Sequence, residues 1–487
     1  MDSSTVYSEN CNYYLQNIST TLSSDELEKL SKKHNLIERK RVFNLEIAMK
    51  LFIYAAQNIK ELSLIDYCVL VERETGKPIT KQAMAERFSQ KSVDFANALL
   101  AEVLKSQLKT SAIKPRKFKK IFLIDSTGFK LPPNLSHIFK GHGGSDLGSG
   151  LKIQYAYDLI SGKISLFDLT NGTTSDYSYS KTQTIDKDAL YIQDLGYFTK
   201  AGFEKIQAEG GYFISRFHHQ CGLYESQDKD EDTIDFIALV ATFLSFAKPS
   251  LSRTYYISLN RNKSKKLQIR LVMFAAPEKV VKKRMAKRVK KGKKQANCSE
   301  ATKANNKVSF YITNVPEDIL SDEQIRKGYH LRWAIELTFK IWKSIFKLNE
   351  IKDMSPWRFL TLFYFKLILI LIDFQVVTSI VKQAKRRNIN LSLYTCCAVF
   401  KKHFRQDFHE HLLNNRQKEL SMLLIKMASF MEKNCRTSQN KNRISLDDYL
   451  AFFCLRKQEK DNPRKILRLK KRSKKAEQNF NFMASTA

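Results

Sequence analysis

Two short apolar runs constrain the fold of this chain more than any other feature. Ile121-Phe122-Leu123-Ile124 and Ala189-Leu190-Tyr191-Ile192 are unbroken by polar residues, and each stops at an aspartate: Asp125 directly, Asp194 after Gln193. Continuous apolar runs of this length are what strands at the centre of a sheet show. Around them, Lys152 to Asp158 and Lys163 to Thr170 read as a hairpin turning at Ser161-Gly162, Lys200 to Ala208 as a helix, and Gly211 to Phe217 as the next strand. Strands interleaved with helices predict a mixed α/β sheet.

The flanks have a different pattern. Residues 1–112 place apolar side chains at three- and four-residue intervals in Glu26 to Lys33, Leu45 to Ala56 and Phe95 to Leu108, which predicts a helical N-terminal region. Within it, Thr80 offers an N-cap to a short helix exposing Lys81, Gln82 and Arg87, the weak outline of a recognition helix. The α/β core is expected over 113–217 and again over 307–385. Between its parts, 218–306 is expected to form a strand-rich basic insertion with strands at Arg253 to Leu259 and Leu267 to Ala275. Residues 386–487 read as a helical C-terminal region closing on the basic tail Arg464 to Lys475. The longest apolar stretch, Phe359 to Val377, is interrupted by Lys366 and Asp373, so it reads as a buried helix with no membrane role. Eight cysteines without a C-x-x-C pair fit a reducing cytoplasm, and Gly141-His142-Gly143-Gly144 lacks the Lys-Ser/Thr ending of a P-loop.

Charge narrows the function. Against 49 Asp and Glu stand 83 Lys and Arg, a formal net charge of +34. That excess is far beyond what solubility needs and calls for a polyanion, by default nucleic acid. Lys279 to Lys294 concentrates ten basic residues in sixteen, among them Lys282, Lys283, Arg284, Lys287 and Arg288, and is expected to touch the DNA backbone.

Asp125 and Asp194 place hard oxygen ligands where α/β folds carry their reactive groups, which points to a Mg²⁺ site. Phosphodiester cleavage by a two-metal route needs a third carboxylate. Between Tyr329 and Lys343, a single helix at about 100° per residue would bring Tyr329, Arg332, Glu336 and Lys343 within about 60° of one another. The opposite side carries Leu331, Ala334, Ile335, Ile341, Trp342 and Ile345. The helix is therefore expected to dock its apolar side on the sheet and to present a carboxylate, two cations and a phenol to one site.

The spacing Tyr-x2-Arg-x3-Glu-x6-Lys at Tyr329, Arg332, Glu336 and Lys343 resembles the signature of DDE transposases of the bacterial insertion-sequence type 4 family. It arrives with Ile124-Asp125-Ser126-Thr127, with Gln193-Asp194-Leu195-Gly196-Tyr197-Phe198, and with a strand-rich stretch between the second aspartate and the glutamate. The resemblance covers roughly residues 115 to 380. It implies an RNase H-like core in which Asp125, Asp194 and Glu336 bind two Mg²⁺ ions, Mn²⁺ being able to substitute. It also implies a homodimer acting on double-stranded DNA, both the terminal inverted repeats of an element and its target, in a cytoplasmic, nucleoid-associated setting. By the same resemblance Tyr329, Arg332 and Lys343 would grip phosphates near the cleaved end, and an aromatic in the preceding strand, Phe310 or Tyr311, would stack on a flipped base. An active transposase is the leading expectation. A catalytically silent, element-derived DNA-binding protein and a stand-alone RNase H-like nuclease are its alternatives.

Overall fold

Local capping sets the N-terminal helices. Ser23 accepts a hydrogen bond from Glu26 N at the start of α1 (Ser24–Lys33), and Asn44 accepts one from Ile47 N ahead of α2 (Leu45–Gln57). A reciprocal Ser63–Asp66 capping box opens α3 (Leu64–Thr75), which stops at Gly76 in the left-handed region, φ 67°. The expected Thr80 cap opens α4 (Lys81–Glu86), and α5 (Gln90–Lys105) follows. The computed structural model describes residues 16–38, 42–107, 114–115, 117–141, 148–180, 184–218, 220–228, 232–260, 262–290, 299–437 and 454–455. His142 to Gly144, the last residues of the basic run and the tail Arg464 to Lys475 lie outside them.

After the short β1 (Lys114–Pro115) come β2 (Lys120–Leu131), β3 (Ser149–Asp158), β4 (Lys163–Asn171), α6 (Asp176–Ser180), β5 (Ala189–Gln193), α7 (Lys200–Ala208) and β6 (Tyr212–Arg216). The middle of the chain supplies β7 (Leu223–Tyr224), α8 (Phe236–Ser245), β8 (Ser250–Ser258), β9 (Lys266–Ala275), α9 (Glu278–Lys290), α10 (Glu300–Lys307) and β10 (Val308–Thr313). Then follow α11 (Asp322–His330), α12 (Trp333–Ser344), α13 (Pro356–Arg386), α14 (Leu393–His403), α15 (Arg405–Leu413), α16 (Gln417–Asn434) and β11 (Cys454–Leu455), which pairs with β1.

Nine strands form one sheet in the order β4-β3-β2-β5-β6-β10-β9-β8-β7. Only the β2–β5 and β5–β6 pairs are parallel. This is the mixed α/β, RNase H-like sheet expected. Among the described residues of 218–306, the strands join the main sheet: β9 pairs along the whole of β10, so β7 to β9 lengthen the sheet that carries Asp125 and Asp194.

Strand alternation divides the core in two. Ile121, Leu123, Ile153 and Tyr311 face the front layer, where α12, α13 and the N-terminal helices pack, while Phe122, Ile124, Phe213 and Phe310 face α7 and α8 behind. Within the front layer, α13 is long and apolar enough to cross a bilayer, yet 83% of its most apolar stretch is buried inside the protein. Phe365 of α13 packs on Phe52 of α2 and Phe95 of α5, and Thr361 meets Ser92 at 2.7 Å.

Candidate active site

The register of the parallel strands brings the two aspartates together. The last β2–β5 pair is Ile124↔Gln193, so Asp125 and Asp194 follow abreast where β5 ends. Asp125 does not terminate its strand, as the apolar run had implied; β2 continues for six residues, held only by its hairpin partner β3 (Asp125↔Tyr155). The polar residues beyond Ile124 are accommodated because β5 no longer flanks them.

The third carboxylate arrives on α12, and here the structure corrects the single helix expected from Tyr329 to Lys343. Tyr329 is the last residue but one of α11, and Arg332 precedes α12. Across the junction Leu331 N bonds Gly328 O, Arg332 N bonds Tyr329 O, Ala334 N bonds Leu331 O and Ile335 N bonds Arg332 O, all three residues apart. In such a tightened turn, side chains at i and i+3 eclipse. The Arg332 guanidinium accordingly lies over the Tyr329 ring, 5.6 Å from its centre. The docking side is Leu331, Ile335, Phe339, Ile341 and Trp342, all buried. The start of α11 is anchored from β9, whose nearly buried Arg270 pairs with Asp322 and donates to Leu320 O at 2.7 Å.

Arg332 stands among the three carboxylates. Its guanidinium donates to Asp125 Oδ2 at 2.9 Å and to Glu336 Oε1 at 2.6 Å, and its Nε lies 3.4 Å from Asp194 Oδ1. Tyr329 donates its hydroxyl to Asp194 Oδ1 at 3.2 Å. Asp125 is mostly enclosed, 14% exposed at the side chain, whereas Asp194 and Glu336 are 40% and 45% exposed. Burial pushes the Asp125 carboxyl up to about 6, outweighing the Ser126 N–H and Arg332, which pull it down. At Arg332 burial works against the charge, but Tyr329, Asp194, Asp125 and Glu336 together hold it above the usual arginine value. Burial raises the Tyr329 phenol and lowers the Lys343 ammonium. Lys343 donates to Gly128 O at 2.8 Å and lies 5.9 Å from the Phe129 ring centre.

Other expected contacts are placed differently. Phe310 is 3% exposed on the back face among Phe217 and Phe236, so a base could reach it only if that packing opened. Tyr311 faces the front but is buried against Tyr329, ring centres 5.4 Å apart. On α9, Lys282 and Lys283 are exposed, Lys282 pairing with Glu278 at 2.6 Å. Arg284 instead turns inward, donating to Asn306 O at 2.8 Å and Ser309 Oγ at 2.7 Å. The side chains of Lys287 and Arg288 lie outside the described residues. One cation escaped the sequence reading: Arg216 ends β6, two residues beyond its last pair with β5 as Asp194 is on β5, and has no carboxylate in ion-pair contact among the described residues. Its signal was present, since Arg216 follows the apolar Tyr212-Phe213-Ile214 after one serine, as Asp194 follows Ile192 after one glutamine.

The donor set suits a divalent ion. Three hard carboxylates from two adjacent strands and a helix already share one cation, the guanidinium. Among the described residues, no three such side chains stand together as a ready metal cluster, because Arg332 lies between them. A family description, "Transposase DDE domain", matches residues 116–372, more than half of the chain. The chain belongs to the DDE transposases. It is 30% identical over 448 residues to the transposase for insertion sequence element IS231B of Bacillus thuringiensis subsp. berliner, covering 88% of this chain and 93% of that one. Against the transposase of IS231C from the same subspecies it is 28% identical, covering 90% and 96%. Against that of IS1151 from Clostridium perfringens it is 28% identical, covering 75% and 80%. This transposase is thus an enzyme of DNA cleavage and strand transfer, of the insertion-sequence type 4 class, with DNA as its partner. Divalent metal ions belong with the chemistry of its family.

Proposed function

We propose that Asp125, Asp194 and Glu336 are the catalytic carboxylates, and that they hold Mg²⁺, or Mn²⁺ in its place, in competition with Arg332 and most tightly when Arg332 turns from them to DNA. The supporting observation is their convergence on a single cation. Such ions, when bound, would activate the attacking oxygen and stabilise the leaving one in an in-line displacement at phosphorus. The chain's own part is to place the DNA. Arg332 offers a planar fork to phosphate oxygens, Lys343 and Arg216 supply further positive charge, and Tyr329 steadies the Asp194 carboxylate.

In this reading the transposase works as a homodimer on paired terminal inverted repeats, releasing and reinserting its element by cut-and-paste on the bacterial nucleoid. Residues 1–112 recognise the repeat ends; 113–217 and 307–385 cut; 218–306 holds the backbone through Lys282, Lys283 and the basic segment after them; the C-terminal region 386–487 contributes α14, α15 and α16 to the helical layer. Intact carboxylates at all three positions favour an active enzyme over a silent DNA-binding relative.

The test is to measure nicking and gel shift on one preparation with the DNA flanking the coding region. Wild type should shift and nick repeat ends with Mg²⁺, while Asp125→Ala, Asp194→Ala and Glu336→Ala should shift them without nicking. Near-wild-type nicking by any of these variants removes that residue from the triad. A wild-type protein that shifts ends but never nicks is the silent binder, and one that cuts repeat and random DNA alike is a general nuclease.

A further inference from the structure

Behind the two aspartates lies a third, Asp176 of α6, which touches the supports of both. Along β2 the side chains alternate, so Ser126 points to the back of the sheet while Asp125 points to the front. Ser126 donates its hydroxyl to Asp176 Oδ1 at 2.7 Å. Lys152 of β3 donates to the same oxygen at 3.2 Å and to Thr174 O at 2.8 Å. This pair is largely enclosed, with side-chain exposures of 16% for Lys152 and 22% for Asp176.

The second carboxylate oxygen faces the other aspartate's support. Asp194 leads directly into a single 3-10 turn, Leu195–Tyr197. A Cβ built on Gly196 in that turn would stand 2.9 Å from Asp176 Oδ2, so the absence of a side chain there is what lets the carboxylate seat against it. The turn is also tied to the strands, Tyr197 donating to Gln154 Oε1 at 2.6 Å, and Gln154 is the cross-strand partner of Ser126.

We infer that Asp176 is a positioning residue that fixes the spacing between Asp125 and Asp194, and with it the affinity of the site for a divalent ion. One oxygen holds the strand of Asp125 through Ser126, and the other abuts the turn that follows Asp194. Lys152 holds the carboxylate correctly turned. The inference rests on the reading of the triad as the metal-binding group. Changing partners that orient metal ligands typically weakens metal binding by roughly 10- to 100-fold.

The experiment uses the full chain without DNA and follows Mn²⁺ binding by the electron paramagnetic resonance signal of the free ion. Melting temperature and the Mg²⁺ concentration for half-maximal nicking are measured alongside. Asp176→Ala should weaken Mn²⁺ binding about tenfold and raise the Mg²⁺ midpoint equally, leaving the nicking plateau reachable at high metal. Gly196→Ala, which keeps the carboxylate but drives a methyl group against it, should weaken binding similarly. The double variant should be no worse than Asp176→Ala, because the new methyl group then meets no oxygen. Mn²⁺ affinity within twofold of wild type in both single variants, or additive losses in the double, overturns the inference. If Asp176→Ala melts early, Gly196→Ala decides the matter, a shift supporting the inference and no shift overturning it. Asp125→Ala tells the two readings apart: it should abolish Mn²⁺ binding whatever Asp176 does, and its retention of binding would sink the triad reading and this one together.

Discussion

Arg332 donates to Asp125 Oδ2 across 2.9 Å, an arginine that closes on the most enclosed of the three carboxylates proposed as catalytic. The same guanidinium reaches Glu336, so the fork proposed to take DNA phosphate is engaged by the protein's own carboxylates.

Arg332→Ala should therefore have two opposite effects. Removing the competing cation should tighten Mn²⁺ binding to the free protein, on the order of tenfold, while nicking of repeat ends falls because a phosphate contact is lost. Arg332→Lys should not restore nicking, since an ammonium does not reproduce a planar fork. Metal titration beside single-turnover nicking measures both. Full activity of the lysine form would reduce Arg332 to an ion pair with Glu336.

The basic helix α9 should divide by side-chain direction. Lys282→Ala and Lys283→Ala should each flatten the dependence of log affinity on log salt by up to about 0.9, equally on repeat ends and random duplex, because phosphate contacts carry no sequence information. Arg284→Ala should leave that slope alone and lower the melting temperature, since its donors serve Asn306 and Ser309. A salt series on both DNAs, with a thermal melt, separates the two outcomes.

Asp373 of α13 is fully buried and bonded to Arg405 Nε at 2.7 Å and His409 Nε2 at 2.6 Å, while His409 Nδ1 meets Gln57 of α2 at 2.6 Å. Burial alone would raise this carboxyl, but Arg405 and His409 hold it below the usual range. Asp373→Ala would leave Arg405 enclosed without its partner, and should cost about 3–5 kcal/mol in chemical denaturation. A loss under 1 kcal/mol would mean that water reaches Arg405.

Lys366 gives a pH signature. It is 4% exposed on α13, and burial, with Arg405 and Lys401, depresses its ammonium to about 7 from the usual lysine 10.5. Between those values the unfolded chain binds the extra proton and the folded one does not, so stability rises with pH through this window and is lost as pH falls toward 7. Lys366→Met should be the more stable form at neutral pH, by an amount on the order of a few kcal/mol, with the advantage shrinking toward pH 10. Unfolding curves at several pH values check the sign.

Much of this was legible in the chain. Strand β5 and helix α7 fall where the apolar pattern placed them, and the spacing of Tyr329, Arg332 and Glu336 pointed to the side chains that meet around Asp125 and Asp194. What the pattern could not carry was the identity of partners. An ideal helix gives each residue a direction, but not the tightened turn at Leu331 that stacks Arg332 on Tyr329. Alternation in Phe310-Tyr311 says that the two rings face opposite ways, not which way is forward. Helix α3 was missed, and Asp176 had no local signal, because its meaning comes from Ser126 and Gly196, fifty residues before it and twenty after.

The long helix α13 has a consequence for copies of the gene that decay. The faces of α2 and α5 that carry Phe52 and Phe95 are covered by Phe365, more than 250 residues further along the chain. A ribosome must finish most of the message before the first helices can complete their core. A product truncated ahead of residue 356 would emerge with that apolar surface bare, a substrate for proteases and chaperones rather than a folded competitor for the ends of intact elements.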